Sequence, residues 1–426
     1  MTDQTEITKK MHELVKEHIK GKKEEFVPGE TVITTGLAVY DDKELNAVID
    51  SLLTGWFGLG RKGKEFEDLF SEYVTNKHTT LVNSGSSANL LALNGIKNNL
   101  KLVGGEIITP ACTFPTTLNP IIQLGFKPAF VDVDKTLNVS VEGIKSAVNK
   151  NTKGIIVPHT MGNPCEIDTI MDIADDNGLF VIEDACDALG SKLNNKACGS
   201  FGTASTFSFY PAHHISLGEG GAISTNDDKL NRVIHSLRDW GRDCWCTTDE
   251  KNLNGACNKR FDYKIKDIPY DHRYVFSQIG YNMKPLELQA AMGIEQLEKI
   301  DEFNKVRKRN FRIYCEEFSA FKEFELPEIN DKADPVFFGL PIMIKDSKIK
   351  RQELIKFLND NKIATRLLFC GNVLYQPAYQ GIEHVKYQDL AYTDEIMKNG
   401  FWIGLHQGVN EEMIKYIISK FRQFLA

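Results

Sequence analysis

The sequence predicts an α/β fold with a mainly parallel sheet and helices on both faces of that sheet. From Glu106 onward, short runs rich in β-branched residues alternate with stretches of helical periodicity. This alternation is typical of parallel strands, because a crossover segment must carry the chain back before the next strand can start. The runs with strand character cover residues 106–109, 128–133, 154–157, 179–183, 203–209 and 222–225.

The helical stretches of this pattern have recognisable ends. Residues 167–177 have helical periodicity and are followed by Gly178, a residue favoured after a helix. Residues 1–25 predict a charged, peripheral helix, and a long connecting helix is predicted from after Pro285 to about Phe318. We therefore expect three parts, namely an N-terminal helical extension (1–30), a large domain (31–300) and a small C-terminal α/β domain (301–426).

Length and charge exclude several classes of protein. The chain has 426 residues, and 51 Lys and Arg against 58 Asp and Glu give a net charge of −7. A nucleic-acid-binding protein would instead show a basic patch or stripe. No apolar stretch approaches the roughly 18 residues of a membrane span, and the N-terminal residues lack the apolar core of a signal peptide. We expect a cytoplasmic protein whose partners include neither nucleic acid nor membrane.

Nine cysteines are present, and their distribution is uneven. An odd number in a reducing compartment argues against a disulfide framework. Cys244, Cys246 and Cys257 crowd into one short segment, which calls for a chemical explanation.

Three segments carry residue types suited to chemistry. Residues 83–90 (Asn-Ser-Gly-Ser-Ser-Ala-Asn-Leu) form a small polar loop that opens a helix, where free amide groups favour an anion such as phosphate. An ordinary serine cap is the alternative interpretation. Residues 181–186 (Val-Ile-Glu-Asp-Ala-Cys) place Glu183 and Asp184 at the carboxyl end of a strand, where α/β proteins bind ligands. A carboxylate there could hold a pyridinium N–H, and two solvated loop acids are the alternative.

The third segment, residues 208–221, runs from a strand into a glycine-rich turn with two adjacent histidines, His213 and His214. Taken alone, it could be a surface loop. Together and in this order, the three segments and Thr113-Phe114 resemble the DegT/DnrJ family of sugar aminotransferases over about residues 32–299. The resemblance implies the aspartate-aminotransferase fold (pyridoxal phosphate fold type I), with a seven-stranded type of sheet and a cofactor-binding large domain.

One residue departs from the family pattern. Alignment on Ser208-Phe209 and on Glu219-Gly220-Gly221 puts His213 where the family has the lysine that forms a Schiff base with pyridoxal phosphate. An imidazole cannot hold the cofactor covalently, but it can transfer protons near neutral pH. This change is similar to that in the sugar 3-dehydratases of the family, which implies noncovalent pyridoxamine 5′-phosphate, His213 as the catalytic base and deoxygenation at C3 of a nucleotide 4-keto-6-deoxyhexose.

The cysteines point to one branch of those dehydratases. The pattern Cys186-x57-Cys244-x-Cys246-x10-Cys257 resembles the branch that carries a 2Fe–2S cluster and makes precursors of 3,6-dideoxyhexoses, although the last gap is longer here. Four thiolates can hold either Zn²⁺ or an Fe–S cluster, so spacing leaves both open. Cys112, Cys165 and Cys198 are alternative fourth ligands. The predicted cluster loop, 239–261, belongs to the large domain.

The resemblance also implies roles for individual residues. Gly85, Ser86 and Ser208 would hold the phosphate, Phe114 would stack on the pyridine ring, and Asp184 would keep the ring nitrogen protonated. Asn282 matches an asparagine that reaches the phosphate of a neighbouring subunit, which implies a homodimer. Further residues expected in the substrate pocket are Tyr210, Asp187, His159, Arg366 and Asn372.

The expected partners follow from the same resemblance. The substrate would be a nucleotide sugar with CDP as the implied nucleotide, while dTDP and GDP stay open. No Gly-x-Gly-x-x-Gly follows a predicted strand, so electrons would come from a separate NAD(P)H-dependent iron–sulfur flavin reductase. The alternatives are a cluster-free GDP-sugar 3-dehydratase, an aminotransferase using another lysine (Lys192 and Lys196 are near in sequence), and a redox sensor on a silenced scaffold.

Overall fold

A computed structural model describes residues 4–21, 25–244 and 260–426. The α-helices are α1 Gln4–Lys20, α2 Asp42–Leu53, α3 Arg61–Tyr73, α4 Gly85–Asn99, α5 Pro115–Gln123, α6 Val141–Ala147, α7 Ile167–Asn177, α8 Asp228–Arg238, α9 Glu287–Glu298, α10 Ile300–Phe318, α11 Arg351–Asp360, α12 Ala391–Asn399 and α13 Glu411–Leu425. The strands are β1 His78–Val82, β2 Glu106–Pro110, β3 Lys127–Val131, β4 Thr152–Pro158, β5 Phe180–Asp184, β6 Lys192–Leu193, β7 Lys196–Ala197, β8 Ala204–Ser208, β9 Gly221–Thr225, β10 Tyr263–Ile265, β11 Ile268–Tyr270, β12 Phe324–Glu325, β13 Ala333–Asp334, β14 Leu340–Ile344, β15 Thr365–Arg366, β16 Val385–Lys386 and β17 Gly400–Ile403.

The main sheet has the strand order β1-β9-β8-β5-β4-β2-β3-β16. All pairs from β8 to β16 are parallel, and β9 runs antiparallel to both of its neighbours. The predicted mainly parallel sheet and all six predicted strands are confirmed. An eighth strand, Val385–Lys386, extends the expected seven by pairing with Ala129 and Phe130 of β3. Its two residues are too short a run to be seen as a strand in the sequence.

Helices cover both faces of this sheet, so its central strands are buried on both sides. Strands β2 and β5 have every residue buried, as expected for parallel strands between helical layers. Helix α7 spans the predicted residues 167–177, and Gly178 ends it in the left-handed conformation (φ 62°). The carboxyl ends of β2, β4, β5 and β8 therefore meet at one edge of the sheet.

The predicted connecting helix is two helices. Helix α9 ends at Glu298 and α10 begins at Ile300, and Lys299 (φ −95°, ψ −6°) lies between them as the C-cap of α9. The Lys299 ammonium donates to both carboxylate oxygens of Glu44 on α2, at 2.7 Å each, which attaches the break to α2. The sequence shows no proline or glycine here, so periodicity alone continues through the break.

The C-terminal part contains a four-stranded sheet in the order β12-β14-β17-β15. Its apolar core extends to the N-terminal segment, because Ile33 pairs with Ile363 and is buried among the same side chains. The segment around Ile33, which the predicted boundaries assign to the large domain, thus packs on the C-terminal part. Helix α1 is peripheral, with no buried residue. Among the described helices, none is long and apolar enough to cross a membrane.

Candidate active site

A cavity of about 720 Å³ opens at the carboxyl edge of the main sheet, where that edge faces the C-terminal sheet. Residues of the loop before α4, the start of α5 and the ends of β4, β5 and β8 line it on one side. Residues near β14, β15 and β17 line the other. The lining includes Ser84, Gly85, Ser86, Asn89, Phe114, Thr117, His159, Asp184, Cys186, Asp187, Ser208, Tyr210, His213, Glu219, Phe338, Arg366, Leu367, Phe369 and Trp402.

The start of α4 forms one end of the cavity. Ser84 caps the helix by accepting a hydrogen bond from the Ser87 amide at 3.1 Å. Gly85 packs so tightly that a Cβ there would lie 2.6 Å from the Cβ of Ser208 and 3.1 Å from the Sγ of Cys186. Gly85, Ser86 and Ser208 thus lie together around the amide groups of a helix start that favours an anion, and their binding of a phosphate stays a prediction.

Asp184, the last residue of β5, is the buried carboxylate of the cavity floor. Its Oδ2 accepts hydrogen bonds from Nδ2 of Asn89 at 2.9 Å and from Oγ1 of Thr117 at 2.7 Å. The Cys186 amide donates to Oδ1 at 3.2 Å, and Asn89 in turn accepts from Oγ1 of Thr206 at 2.6 Å. Sequence reasoning missed Asn89, Thr117 and Thr206 as supporting residues, because none of them stands beside the carboxylate in sequence.

Phe114 and Phe369 form an aromatic contact on the cavity wall. Their ring centroids lie 6.2 Å apart in an edge-on arrangement. Phe114 is 51% exposed, so one face of its ring is free to stack on a ligand. Phe369 was not singled out from the sequence, because it lies more than 250 residues from Phe114 and carries no motif.

His159 and Glu183 form a fully buried pair beside Asp184. The Nε2 of His159 lies 3.0 Å from Oε2 of Glu183, and its Nδ1 accepts a hydrogen bond from the Cys165 amide at 3.2 Å. Burial opposes the charge of Glu183, but hydrogen bonds from His159 and from backbone amides hold its pKa below the ordinary value. Both ring nitrogens of His159 are engaged in these contacts, so His159 lines the cavity as a buried structural partner of Glu183, and its role toward the substrate stays a prediction.

His213 stands on the cavity wall, and His214 does not. The backbone amide of His213 donates to the Tyr210 carbonyl at 2.9 Å, which closes a turn after β8. The neighbouring His214 is buried, with Nε2 at 3.0 Å from the carbonyl oxygen of Val336. The His213 ring packs 4.9 Å from the Phe338 ring. Lysine is absent from the described lining, and Lys192 and Lys196 lie on the β6–β7 hairpin outside it.

Burial sets the protonation of the His213 and Asp187 side chains. Burial and the Arg307 guanidinium lower the pKa of His213 to about 4. Burial and the nearby Asp184 raise the pKa of Asp187 to about 8. The His213 Nδ1 and the Asp187 Oδ1 lie 3.6 Å apart, beyond hydrogen-bond distance, and Nδ1 is buried without a hydrogen-bond partner among the described residues. At neutral pH the imidazole is therefore uncharged and able to accept a proton.

The remaining predicted pocket residues divide into two groups. Tyr210, 52% exposed, and the exposed Arg366 line the cavity. The prediction that Asn372 lies in the substrate pocket is wrong, because Asn372 is only 2% exposed and does not line the cavity. Its side chain donates to Asp394 at 2.6 Å and accepts from the Leu374 amide at 3.0 Å. These bonds make Asn372 a cap of a short 3₁₀ turn outside the cavity.

The predicted metal ligands are only partly described. Cys186 lines the cavity, and burial together with Asp184 raises the pKa of its thiol well above the ordinary value. Cys244 is half-buried, while Cys246 and Cys257 lie outside the described residues. Among the residues that the structure covers, no group of three or more His, Cys, Asp or Glu could hold a metal ion. Cys112, Cys165 and Cys198 are buried, and the last two flank His159.

Asn282 is exposed, and its contact with a second chain stays a prediction. It forms a β-bridge with Asp239, which fixes its backbone at the surface.

A buried carboxylate, a serine- and glycine-rich helix start and an exposed phenylalanine around a cavity at this edge of the sheet define a fold-type-I protein of the pyridoxal phosphate class. The chain matches the model of the DegT/DnrJ/EryC1/StrS aminotransferase family over residues 39–422, and it belongs to that family. The predicted aspartate-aminotransferase fold is thereby confirmed.

Several relatives cover nearly the whole chain. The lipopolysaccharide biosynthesis protein RfbH of Salmonella typhimurium is 43% identical, over 94% of this chain and 93% of its own. The dTDP-4-dehydro-2,6-dideoxy-D-glucose 3-dehydratase of Saccharopolyspora spinosa is 42% identical, over 94% and 88%. Among solved structures, the E. coli GDP-4-keto-6-deoxy-D-mannose-3-dehydratase with bound hydrated PLP is 30% identical with a TM-score of 0.83, over 92% and 100%.

Proposed function

We propose that this chain is a pyridoxamine-phosphate-dependent 3-dehydratase that removes the C3 hydroxyl of a nucleotide 4-keto-6-deoxyhexose. Its product would be a precursor of a 3,6-dideoxyhexose for a cell-surface polysaccharide such as the lipopolysaccharide O-antigen. The observation that carries the proposal is His213, an uncharged imidazole on the cavity wall where the family has its lysine, in a described lining without any lysine. The names of two relatives, both sugar 3-dehydratases, support the same reaction.

The cavity fits pyridoxamine phosphate. The α4 start offers amide groups and serine hydroxyls for a phosphate, Phe114 offers a ring face, and Asp184 offers a buried carboxylate for a ring N–H. A Cβ on Gly85 would fill the narrow space beside Ser208. When bound, the cofactor would supply an amine for the C4 ketone and an electron sink for departure of the C3 hydroxyl.

The residues of the chain then have separate tasks. Asp184, held by Asn89 and Thr117, keeps the proton on the ring nitrogen. His213 takes a proton from carbon. Tyr210 and Arg366 lie where the sugar and its diphosphate would enter, and the aromatic wall of Phe338, Phe369 and Trp402 excludes water from the reacting carbons.

We further propose a 2Fe–2S cluster on Cys186, Cys244, Cys246 and Cys257, reduced by a separate NAD(P)H-dependent iron–sulfur flavin reductase, and CDP as the nucleotide of the substrate. The position of Cys186 supports the cluster, because this thiol lines the same cavity as His213 and an electron donor must lie near its acceptor. The cysteine pattern supports CDP, while the names of the relatives give dTDP and GDP. A homodimer is proposed from Asn282.

The test is an anaerobic assay with the CDP-, dTDP- and GDP-linked 4-keto-6-deoxyglucoses, a reductant and pyridoxamine phosphate. We expect loss of the C3 hydroxyl from the CDP sugar, and exchange of solvent oxygen at C3 when the reductant is omitted. Transfer of an amino group to C4 without loss at C3 would show an aminotransferase. No reaction with any of the sugars, in protein that binds the cofactor, would contradict the proposed function.

Iron and acid-labile sulfide, measured after anaerobic purification, separate the two kinds of dehydratase. We expect about two of each per chain, and their loss in a Cys244→Ser variant. The cluster-free alternative is favoured by the 33% identity to the GDP-4-keto-6-deoxy-D-mannose 3-dehydratase of Yersinia pseudotuberculosis. Full activity on the GDP sugar by protein without iron would establish the cluster-free alternative. Zinc at one equivalent per chain would show that the cysteines hold a structural metal ion and not an iron–sulfur cluster.

A further inference from the structure

Arg307 is a fully buried arginine in the middle of α10, and apart from the effect of its charge on the pKa of His213 it has no assigned role. Among the described residues, no carboxylate oxygen lies within ion-pair distance of its guanidinium, although the chain has many such pairs at its surface. Burial of the guanidinium charge is costly, and its hydrogen bonds together with the charge of Asp187 offset part of this cost.

All four hydrogen bonds of Arg307 go to groups beside the cavity. Nη1 donates to the carbonyl oxygens of Phe337 at 3.2 Å and Phe338 at 2.9 Å, and Nη2 donates to the carbonyl oxygen of His213 at 3.2 Å. Nε donates to Oε1 of Gln407 at 3.0 Å. The guanidinium therefore joins the turn after β8 to the segment before β14 and to the loop after β17.

These bonds act on the two rings that meet at the cavity wall. Phe338 is the residue whose ring lies 4.9 Å from the His213 imidazole, and Arg307 fixes the backbone of both. Gln407 adds a second connection, because its Nε2 lies 3.4 Å from the carbonyl oxygen of His214. The rigid planar guanidinium of an arginine, called the fork below, can hold several acceptors at fixed separations. A lysine ammonium on its flexible alkyl chain cannot do so.

We propose that Arg307 is a positioning residue that holds the His213 imidazole against Phe338 in the orientation needed for proton transfer. Its effect on turnover rests on the proposed function, whereas its effect on the ring does not. Arg307 does not line the cavity, so its replacement removes no direct contact with cofactor or substrate. The defect should therefore lie in kcat, with little change in KM.

The first measurement is kinetic. We expect Arg307→Gln to lower kcat at least about tenfold with KM changed less than about twofold, since small misplacement of a reacting group is costly. Arg307→Lys keeps the charge but not the fork, so it should not restore kcat. The matched control is Arg312→Gln on the same helix, whose side chain is 73% exposed, and it should behave as the unaltered protein.

The second measurement needs no turnover. In protein with ¹³Cε1-labelled histidine at fixed pH, the His213 resonance, identified by its absence in His213→Asn, is shifted by the Phe338 ring current. Arg307→Gln should move it toward the value of an unstacked imidazole, and Arg312→Gln should leave it in place. Gln407→Ala keeps the arginine but removes one of its acceptors. It should shift the His213 resonance in the same direction by a smaller amount and lower kcat a few-fold. If Arg307→Gln does not fold, Gln407→Ala tests the proposal in its place.

An unmoved His213 resonance in the folded Arg307→Gln or Gln407→Ala protein would overturn the proposal, as would full kcat in Arg307→Lys. If the unaltered protein turns over none of the sugars, the resonance still decides whether Arg307 positions the ring. Failure of the proposed function and failure of this inference thus give different results.

Discussion

At the scale of single residues, the exchange of lysine for histidine at position 213 can be tested by reversing it. His213→Lys should bind pyridoxal phosphate covalently and turn yellow, because the side chain at this position faces the cavity beside Asp184 and Cys186. The measurement is visible absorbance and borohydride-trapped cofactor found by mass spectrometry. The matched control, His213→Gln, should bind the cofactor without a covalent bond. If His213→Lys also forms no covalent bond to the cofactor, position 213 does not face the cofactor.

Asp184 carries the second prediction at this scale. Asp184→Asn should lower turnover by about 100-fold or more, because a neutral amide does not stabilise a protonated ring nitrogen and the electron sink is lost. The milder Thr117→Val removes one of the two side-chain hydrogen bonds to Oδ2 and should cost less. Turnover at saturating cofactor, with circular dichroism to establish folding, makes the comparison. Equal turnover in Asp184→Asn and the unaltered protein would contradict this role.

At the scale of elements, the start of α4 depends on the absence of a side chain at Gly85. A Cβ there would meet the Cβ of Ser208 at 2.6 Å, and Ser208 is the end of a central strand that cannot easily move. We expect Gly85→Ala to weaken the binding of pyridoxamine phosphate roughly tenfold, by about 1.4 kcal/mol. Fluorescence titration measures it. Gly58→Ala, whose added Cβ would meet nothing within 4 Å, is the matched control, and equal affinities in the two variants would show that the contact relaxes freely.

The elements also show how far sequence reasoning reaches. Buried strands with β-branched residues and a glycine helix stop are local signals, so β2 to β5, β8, β9 and α7 were predictable, as was the meeting of Asp184 and His213 at one edge. Strand β1, His78–Val82, was missed because His78, Thr79 and Thr80 are polar, and it is buried by tertiary contacts, namely pairing with β9 and packing against α3 and α8. Asn372, predicted for the pocket, bonds Asp394 instead, and the two side chains that donate to Asp184 come from α4 and α5. Such contacts are set by tertiary packing.

At the scale of the whole molecule, the cavity lies between two sheets that are held together by buried polar groups. Arg307 and Gln407 join the C-terminal part to the turn that bears His213. His406 joins the loop after β17 to the N-terminal segment, because its Nε2 lies 3.1 Å from the carbonyl oxygen of Thr34. The geometry of the active site thus depends on the packing of three segments distant in sequence.

This arrangement predicts a loss of stability in mild acid. His406 is 2% exposed, its Nδ1 accepts from the Gly408 amide at 3.2 Å, and burial followed by the charge of Arg307 lowers its pKa to about 4. An unfolded histidine titrates near 6.5. Between pH 6.5 and 4 the unfolded chain binds a proton that the folded chain excludes, so the free energy of unfolding falls as the pH falls, by up to roughly 3 kcal/mol for this one group.

Urea unfolding midpoints measured between pH 4.5 and 7.5 test this. His406→Gln keeps a donor for Thr34 but cannot take up a proton, so its stability should fall less steeply with decreasing pH than that of the unaltered protein. His384→Gln is the matched control, since His384 is exposed and should leave the slope unchanged. The pH dependence of stability that remains in His406→Gln should come from other buried histidines. Among them are His214 and His235, whose pKa values are also lowered by burial. If His406→Gln has the same slope as the control, His406 accepts its proton in the folded state, and the contact with Thr34 does not depend on a neutral ring.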